Sequence, residues 1–148
     1  MRTLILLRHA VAESQRLDGR DFDRALTPAG RAEAEAAGRR LAALDSRPQL
    51  LLTSPARRTR DTADTLARCL GLAAASVRDD ATLYLATVPA LRAAIARTDA
   101  VISCLLLVGH NPGLSELATV LEADGAGVAL ATGAYVRFDL PLADWSLP

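Results

Sequence analysis

Apolar residues in this chain fall in short runs separated by longer amphipathic stretches. Leu4–Leu7 is a continuous aliphatic run of buried-strand length. Leu50–Thr53 and Leu105–Val108 are two more, Ala75–Val77 is a brief extended segment, and Ala134–Leu140 closes the series as a final strand. Between them the spacing changes to a helical one. Thr27-Pro28 opens a helix running to about Leu44, because Thr is a good N-cap and Pro suits the first helical position. Ser54-Pro55 carries the same start signal for a helix to about Leu70, which Gly71 ends. Val88-Pro89 begins a helix to about Arg97, and Asn111-Pro112 one to about Glu122. Strand and helix thus alternate, which predicts an α/β fold with a largely parallel sheet. Residues 12–25 are a polar loop rich in Arg and Asp. No repeat or linker divides the chain, so residues 1–148 are expected to form one domain.

Composition narrows the chemistry. Half the residues are hydrophobic but only 3% are aromatic, so the core is expected to be Ala, Leu and Val. No apolar run approaches the ~18 residues of a membrane span. The first run is too short for a signal peptide and ends in charge, so the expected location is the cytoplasm, away from membranes. Net charge is zero, which gives no bulk field to recruit nucleic acid. All 17 basic residues are Arg, which removes lysine Schiff-base and P-loop chemistry. Cys69 and Cys104 are isolated and read as core residues in a reducing compartment, with no disulfide expected. With only His9 and His110 as histidines, nothing supplies a structural zinc site, and no metal or other cofactor is expected.

The unusual residues cluster at predicted carboxyl ends of strands, where open α/β sheets bind ligands. The first strand ends in Arg8-His9, the second leads into Arg57-Arg58, and the third ends in Gly109-His110-Asn111-Pro112-Gly113. Two cations in the opening turn of a helix oppose its dipole, at a cost of a few tenths of a kcal/mol each or about that. They make sense if an anion arrives. Gly109 and Gly113 suggest close backbone approach, and the helix N-terminus beyond them offers N–H donors to an anion. Taken singly, each feature has a plainer reading: a hydrogen-bonded structural histidine, a solvated arginine pair, a turn. Their coincidence at one sheet edge favours a site.

Four stretches, "LLRHA", "LTPAG", "TSPARRTRDTA" and "LLVGHNPGLSELA", occur in an order that resembles the histidine phosphatase superfamily. Length and the Arg-His-Ala form are most similar to its small SixA-type phosphohistidine phosphatases. The resemblance implies a three-layer α/β/α sandwich of the phosphoglycerate mutase type and a metal-independent phosphatase. It implies that His9 is the nucleophile, forming a phosphohistidine intermediate that water hydrolyses. Arg8 and Arg58 would hold phosphoryl oxygens, and Arg57 would not; His110 would donate to one. Arg24 would be a further phosphate contact. Neighbouring cations would keep His9 neutral, with one ring nitrogen held by an acceptor such as a backbone carbonyl.

Two departures matter. No carboxylic acid is clearly placed to protonate a leaving oxygen; Asp79, Asp80 and Glu13 are the candidates. Ala10 stands where the wider superfamily usually has glycine, which small members tolerate. A missing acid handicaps hydrolysis of alkyl phosphates more than of phosphohistidine. The chain lacks an inserted cap, which leaves the 12–25 loop as the candidate lid and suits a phosphorylated protein side chain. The expected substrate is therefore a phosphohistidine-bearing protein domain. A small phosphomonoester substrate and a non-catalytic phosphate-binding domain are the alternatives.

Overall fold

A computed structural model describes residues Met1–Pro148. Five strands form one sheet: β1 (Arg2–Arg8), β2 (Leu50–Thr53), β3 (Val77–Asp79), β4 (Cys104–Gly109) and β5 (Tyr135–Leu140). Their spatial order is β3-β2-β4-β1-β5, and β5 alone runs antiparallel. Four helices complete the fold: α1 (Pro28–Ala42), α2 (Arg57–Leu70), α3 (Val88–Ala96) and α4 (Gly113–Leu121).

The three-layer arrangement follows from the period-2 alternation of strand side chains. Leu4 and Leu6 of β1, Leu50 and Leu52 of β2 and Leu105 and Leu107 of β4 face α3 and α4, where they meet Leu91, Ile95, Leu114 and Leu117. Ile5, Leu7, Leu51, Leu106 and Val108 face the other way, onto Leu41 of α1 and Leu66 and Leu70 of α2. Burial on both faces explains why β1 and β4 read as unbroken apolar runs. Each fully buried Leu or Ile contributes on the order of 1.5–3 kcal/mol, so the central strands are held rigidly. After β5 the chain returns under the α3/α4 layer. There Trp145 is buried and donates its indole N–H to the Ile102 carbonyl at 3.0 Å, a closure the strand pattern did not anticipate.

Most expected elements appear, with corrections at their starts. Thr27 caps α1 as expected, its hydroxyl accepting from the Gly30 N–H at 3.0 Å. Gly71 ends α2 in the left-handed region, at φ 65°. Pro55, however, is not helical: α2 begins at Arg57, and the Ser54 side chain is engaged elsewhere. Asn111-Pro112 likewise precedes α4, which begins at Gly113. The third strand is Val77–Asp79, since Ala74–Ser76 form a 3-10 turn. Both cysteines are free; Cys104 is buried in the core and Cys69 only half-buried beside Gly38. No helix is long and apolar enough to cross a membrane.

Candidate active site

Register places the two histidines side by side. In the parallel pair β1/β4, Arg8 is aligned with Gly109, so the next residues, His9 and His110, leave adjacent strands at the same level. The His9 N–H donates to the Gly109 carbonyl at 3.2 Å, and the ring centroids stand 5.5 Å apart. β2 lies on the far side of β4 with Thr53 aligned to Val108, which brings Ser54 beside His110. Arg58 enters from the first turn of α2. Arg8, His9, Arg24, Arg58 and His110 line one open cleft of ≈ 330 Å³ with Asp21 and Leu85. All five residues expected at the site thus converge.

The hydrogen bonds assign the imidazole protons. His9 Nδ1 lies 2.7 Å from the Ala10 carbonyl. A carbonyl only accepts, so Nδ1 carries the proton and Nε2 keeps its lone pair. His9 is only 7% exposed. Burial is the largest influence on its pKa, followed by the opposing hydrogen bond to Ala10 and then by Arg58, Arg8 and Arg24; the net result is a fall from 6.5 to about 4. The expectation that cations keep this ring neutral is therefore incomplete, because desolvation does most of it.

His110, 4% exposed, is held at both nitrogens. An Arg58 guanidinium nitrogen lies 3.2 Å from Nδ1, and Ser54 Oγ lies 2.7 Å from Nε2. Guanidinium only donates, so Nδ1 accepts and Nε2–H donates to Ser54. Burial first, then Arg58 and His9, lower the His110 pKa to about 3. For His110 to donate from Nδ1 to a ligand, its proton must move to Nδ1 and Ser54 must donate to Nε2. The serine hydroxyl can do either, since the Ala56 N–H already satisfies its oxygen at 3.3 Å. Ser54, a helix-cap residue by its sequence context, stands instead next to His110.

The arginines differ in their partners. Arg58 is 2% exposed and Arg57 is mostly exposed, paired weakly with Asp61 at 3.7 Å. This separates the adjacent pair as expected. Arg58 donates to the Asp21 carbonyl at 2.8 Å and to the Asp21 carboxylate at 3.0 Å. Arg24 donates from Nε to the other carboxylate oxygen at 2.9 Å, and also to the Glu13 carbonyl. Arg8 reaches the Leu130 carbonyl at 3.2 Å. The Nε groups of Arg8 and Arg58 are buried with no hydrogen-bond partner. With Arg24 these guanidinium groups line the cleft, and their charge favours an incoming anion.

Asp21 is the one carboxylate in the cleft, and its contacts with Arg58 and Tyr84 join residues far apart in sequence. Burial raises its pKa, but hydrogen bonds from the Tyr84 hydroxyl at 2.5 Å, from Arg58 and from Arg24 outweigh that and bring it to about 2. Such a carboxylate is ionised at neutral pH and is a poor proton donor. The three acid candidates from sequence lie elsewhere. Asp79 pairs with Arg60, Asp80 with Arg97 and Thr82, and Glu13 is exposed outside the cleft.

One further expectation fails. The first turn of α4 offers few donors to an anion, because Leu114, Ser115 and Glu116 already donate to His110, Asn111 and Pro112. Gly113 does mark a close approach, but to protein: a Cβ there would lie 2.0 Å from the Ala86 carbonyl oxygen.

This fold and histidine pair are those of a phosphoryl-transfer family, and comparison with known proteins agrees. Residues 4–83 match the model of the histidine phosphatase superfamily (branch 1). The chain belongs to that superfamily. Within it the chain is of the SixA type. The candidate phosphohistidine phosphatase SixA of Agrobacterium tumefaciens is 31% identical, with 93% of this chain and 91% of that one covered and a TM-score of 0.81. The corresponding candidate SixA of Nakamurella multipartitia is 33% identical, with 92% and 83% covered and a TM-score of 0.77. An uncharacterized chloroplastic protein of Arabidopsis thaliana is 36% identical over 139 residues, 88% of this chain; the chain spans 63% of that protein's length. Family and neighbours together support a phosphatase.

Proposed function

We propose that the chain is a metal-independent phosphatase in which His9 takes a phosphoryl group from phosphohistidine on a protein. The observation that carries this reading is the His9 ring: its Nδ1–H is anchored on the Ala10 carbonyl, its Nε2 lone pair is free, and Arg8, Arg24 and Arg58 line the same cleft. His9 Nε2 forms a bond to phosphorus as the bond from phosphorus to the substrate's ring nitrogen breaks. Water then attacks phosphorus, the bond to Nε2 breaks, and the lone pair returns to His9.

Charge and leaving-group chemistry support the substrate class. Arg8, Arg24 and Arg58 oppose a single carboxylate, Asp21, so the cleft has a positive surplus to meet a phosphoryl group of about two negative charges. With Asp21 ionised, no cleft carboxyl protonates an alkoxide leaving group. A phosphorylated imidazole protonated on its other nitrogen leaves as neutral imidazole and needs no such acid. The open cleft suits a substrate presented on a protein surface.

The test is a substrate panel on wild type and His9→Ala, with and without chelator: a phosphohistidine-bearing domain, an aryl phosphate and a sugar phosphate. The expected result is chelator-resistant turnover fastest on phosphohistidine and lost in His9→Ala. Faster turnover of the sugar phosphate, dependence on added metal, full activity in His9→Ala, or phosphate binding with no turnover would each overturn the proposal.

A further inference from the structure

We propose that Leu85 sets the substrate preference of this cleft by forming an apolar wall against the group that carries the phosphoryl, and that this group is a flat ring without hydroxyls. The proposal rests on the reading of His9 as the nucleophile. Leu85 is the single non-glycine residue in the left-handed region, at φ 48°. Tyr84 before it has φ −64° and ψ 116°, and the Ala86 N–H donates to the Leu83 carbonyl at 3.3 Å. Residues 83–86 therefore make a type II turn, whose third position calls for glycine or asparagine. A branched side chain there is strained.

The turn itself has a structural reason. Leu83 and Ala86 are both buried, and the Ala86 carbonyl is pressed against Gly113. That accounts for the backbone and not for the leucine, which glycine would replace with less strain. Nor does the side chain stabilise the core, since Leu85 is 54% exposed. It lines the cleft that holds His9, Arg58 and His110, and with Val11 and Ala12 it is the apolar part of that lining.

The polar groups of the rim are already engaged. Asn111 donates to the Leu130 carbonyl at 2.8 Å and accepts from the Ser115 N–H and hydroxyl. The Thr132 hydroxyl donates to Glu33 at 3.5 Å, and Asp21 accepts from Arg24, Arg58 and Tyr84. Sugar hydroxyls brought against this rim would exchange water for few partners, which disfavours them. A ring face loses nothing by contact with Leu85. An imidazole fits that description.

The experiment compares N-phosphoimidazole with phosphoramidate, which has the same phosphorus–nitrogen bond and no ring, on wild type, Leu85→Ala, Leu85→Gly and His9→Ala. The ratio of kcat/KM for the ring substrate to that for the ringless one should fall about tenfold in Leu85→Ala and Leu85→Gly, as expected for the loss of one apolar contact. Leu85→Gly should have a Tm no lower than wild type, because the turn is relaxed. An unchanged ratio, with His9→Ala inert, would overturn the role of Leu85 and leave the nucleophile standing. A sharply lower Tm in Leu85→Gly would overturn it too, by making Leu85 a packing residue. Turnover of both substrates by His9→Ala would overturn both readings.

Discussion

Acidification from pH 7 to pH 5 should destabilise this protein by about 4 kcal/mol, almost all of it through the two site histidines. His9 and His110 are buried and neutral in the folded chain, with pKa values of about 4 and about 3. In the unfolded chain each returns to about 6.5. Between those values the unfolded state binds more protons than the folded one, so stability rises with pH and is lost as pH falls through the window. At pH 5 each unfolded imidazole is almost fully protonated and each folded one is not, which is worth about 2 kcal/mol per histidine. Asp21, held at about 2, acts in the same direction but only at lower pH, as pH falls from the ordinary carboxylate value toward 2. A domain of this size loses about 2–4 °C of Tm per kcal/mol, so the midpoint should drop by on the order of 10 °C. The chain has no other histidine, so the assignment is clean. Thermal unfolding followed by circular dichroism at pH 7, 6 and 5 measures it, with His9→Gln and His110→Gln each removing about half the slope. A Tm that holds constant or rises toward pH 5, or a slope untouched by either substitution, would refute the inference that these rings are desolvated.

Other substitutions probe the site's supports. Ser54→Ala leaves the His110 Nε2–H buried without its partner, so it should cost about 1–3 kcal/mol in urea unfolding and reduce kcat more than it raises KM. Arg58→Ala should lower kcat/KM by about a hundredfold or more, whereas Arg57→Ala next to it should stay within about twofold, because Arg57 is exposed and outside the cleft; steady-state kinetics on one substrate separates them. Gly30→Ala would place a Cβ 2.0 Å from the Val11 carbonyl oxygen in the segment just after His9. It should lower the urea midpoint by the equivalent of about 3 kcal/mol or more, or abolish soluble expression.

The parts of this molecule legible from sequence are those set by local physics. Leu50–Thr53 is a strand at the bounds its apolar run implies, and Thr27 caps α1, its hydroxyl accepting from the Gly30 N–H while donating to the Val11 carbonyl. α2 and α4 start later than their capping signals imply, for different reasons. Ser54 is drawn to His110, whereas Asn111 still serves the start of α4, its side-chain oxygen accepting from the Ser115 N–H and hydroxyl while its amide donates to the Leu130 carbonyl. His9, Arg8, Arg58 and His110 were findable because each follows a strand end or helix start, so topology alone gathers them. Asp21 and Leu85 were not. Asp21 acts through partners 37 and 63 residues away, and no local pattern marks it among its loop neighbours. Leu85 announces itself only through a backbone angle.

The central claim is that His9 Nε2 becomes phosphorylated. Rapid mixing with excess phosphohistidine-bearing domain, an alkaline quench that preserves phosphohistidine, and peptide mass spectrometry test it directly. One added phosphoryl group should appear on the peptide containing His9 during turnover, and none in His9→Ala, which should also be inactive. A phosphoryl group trapped on His110 or another residue, or turnover that persists in His9→Ala, would contradict it.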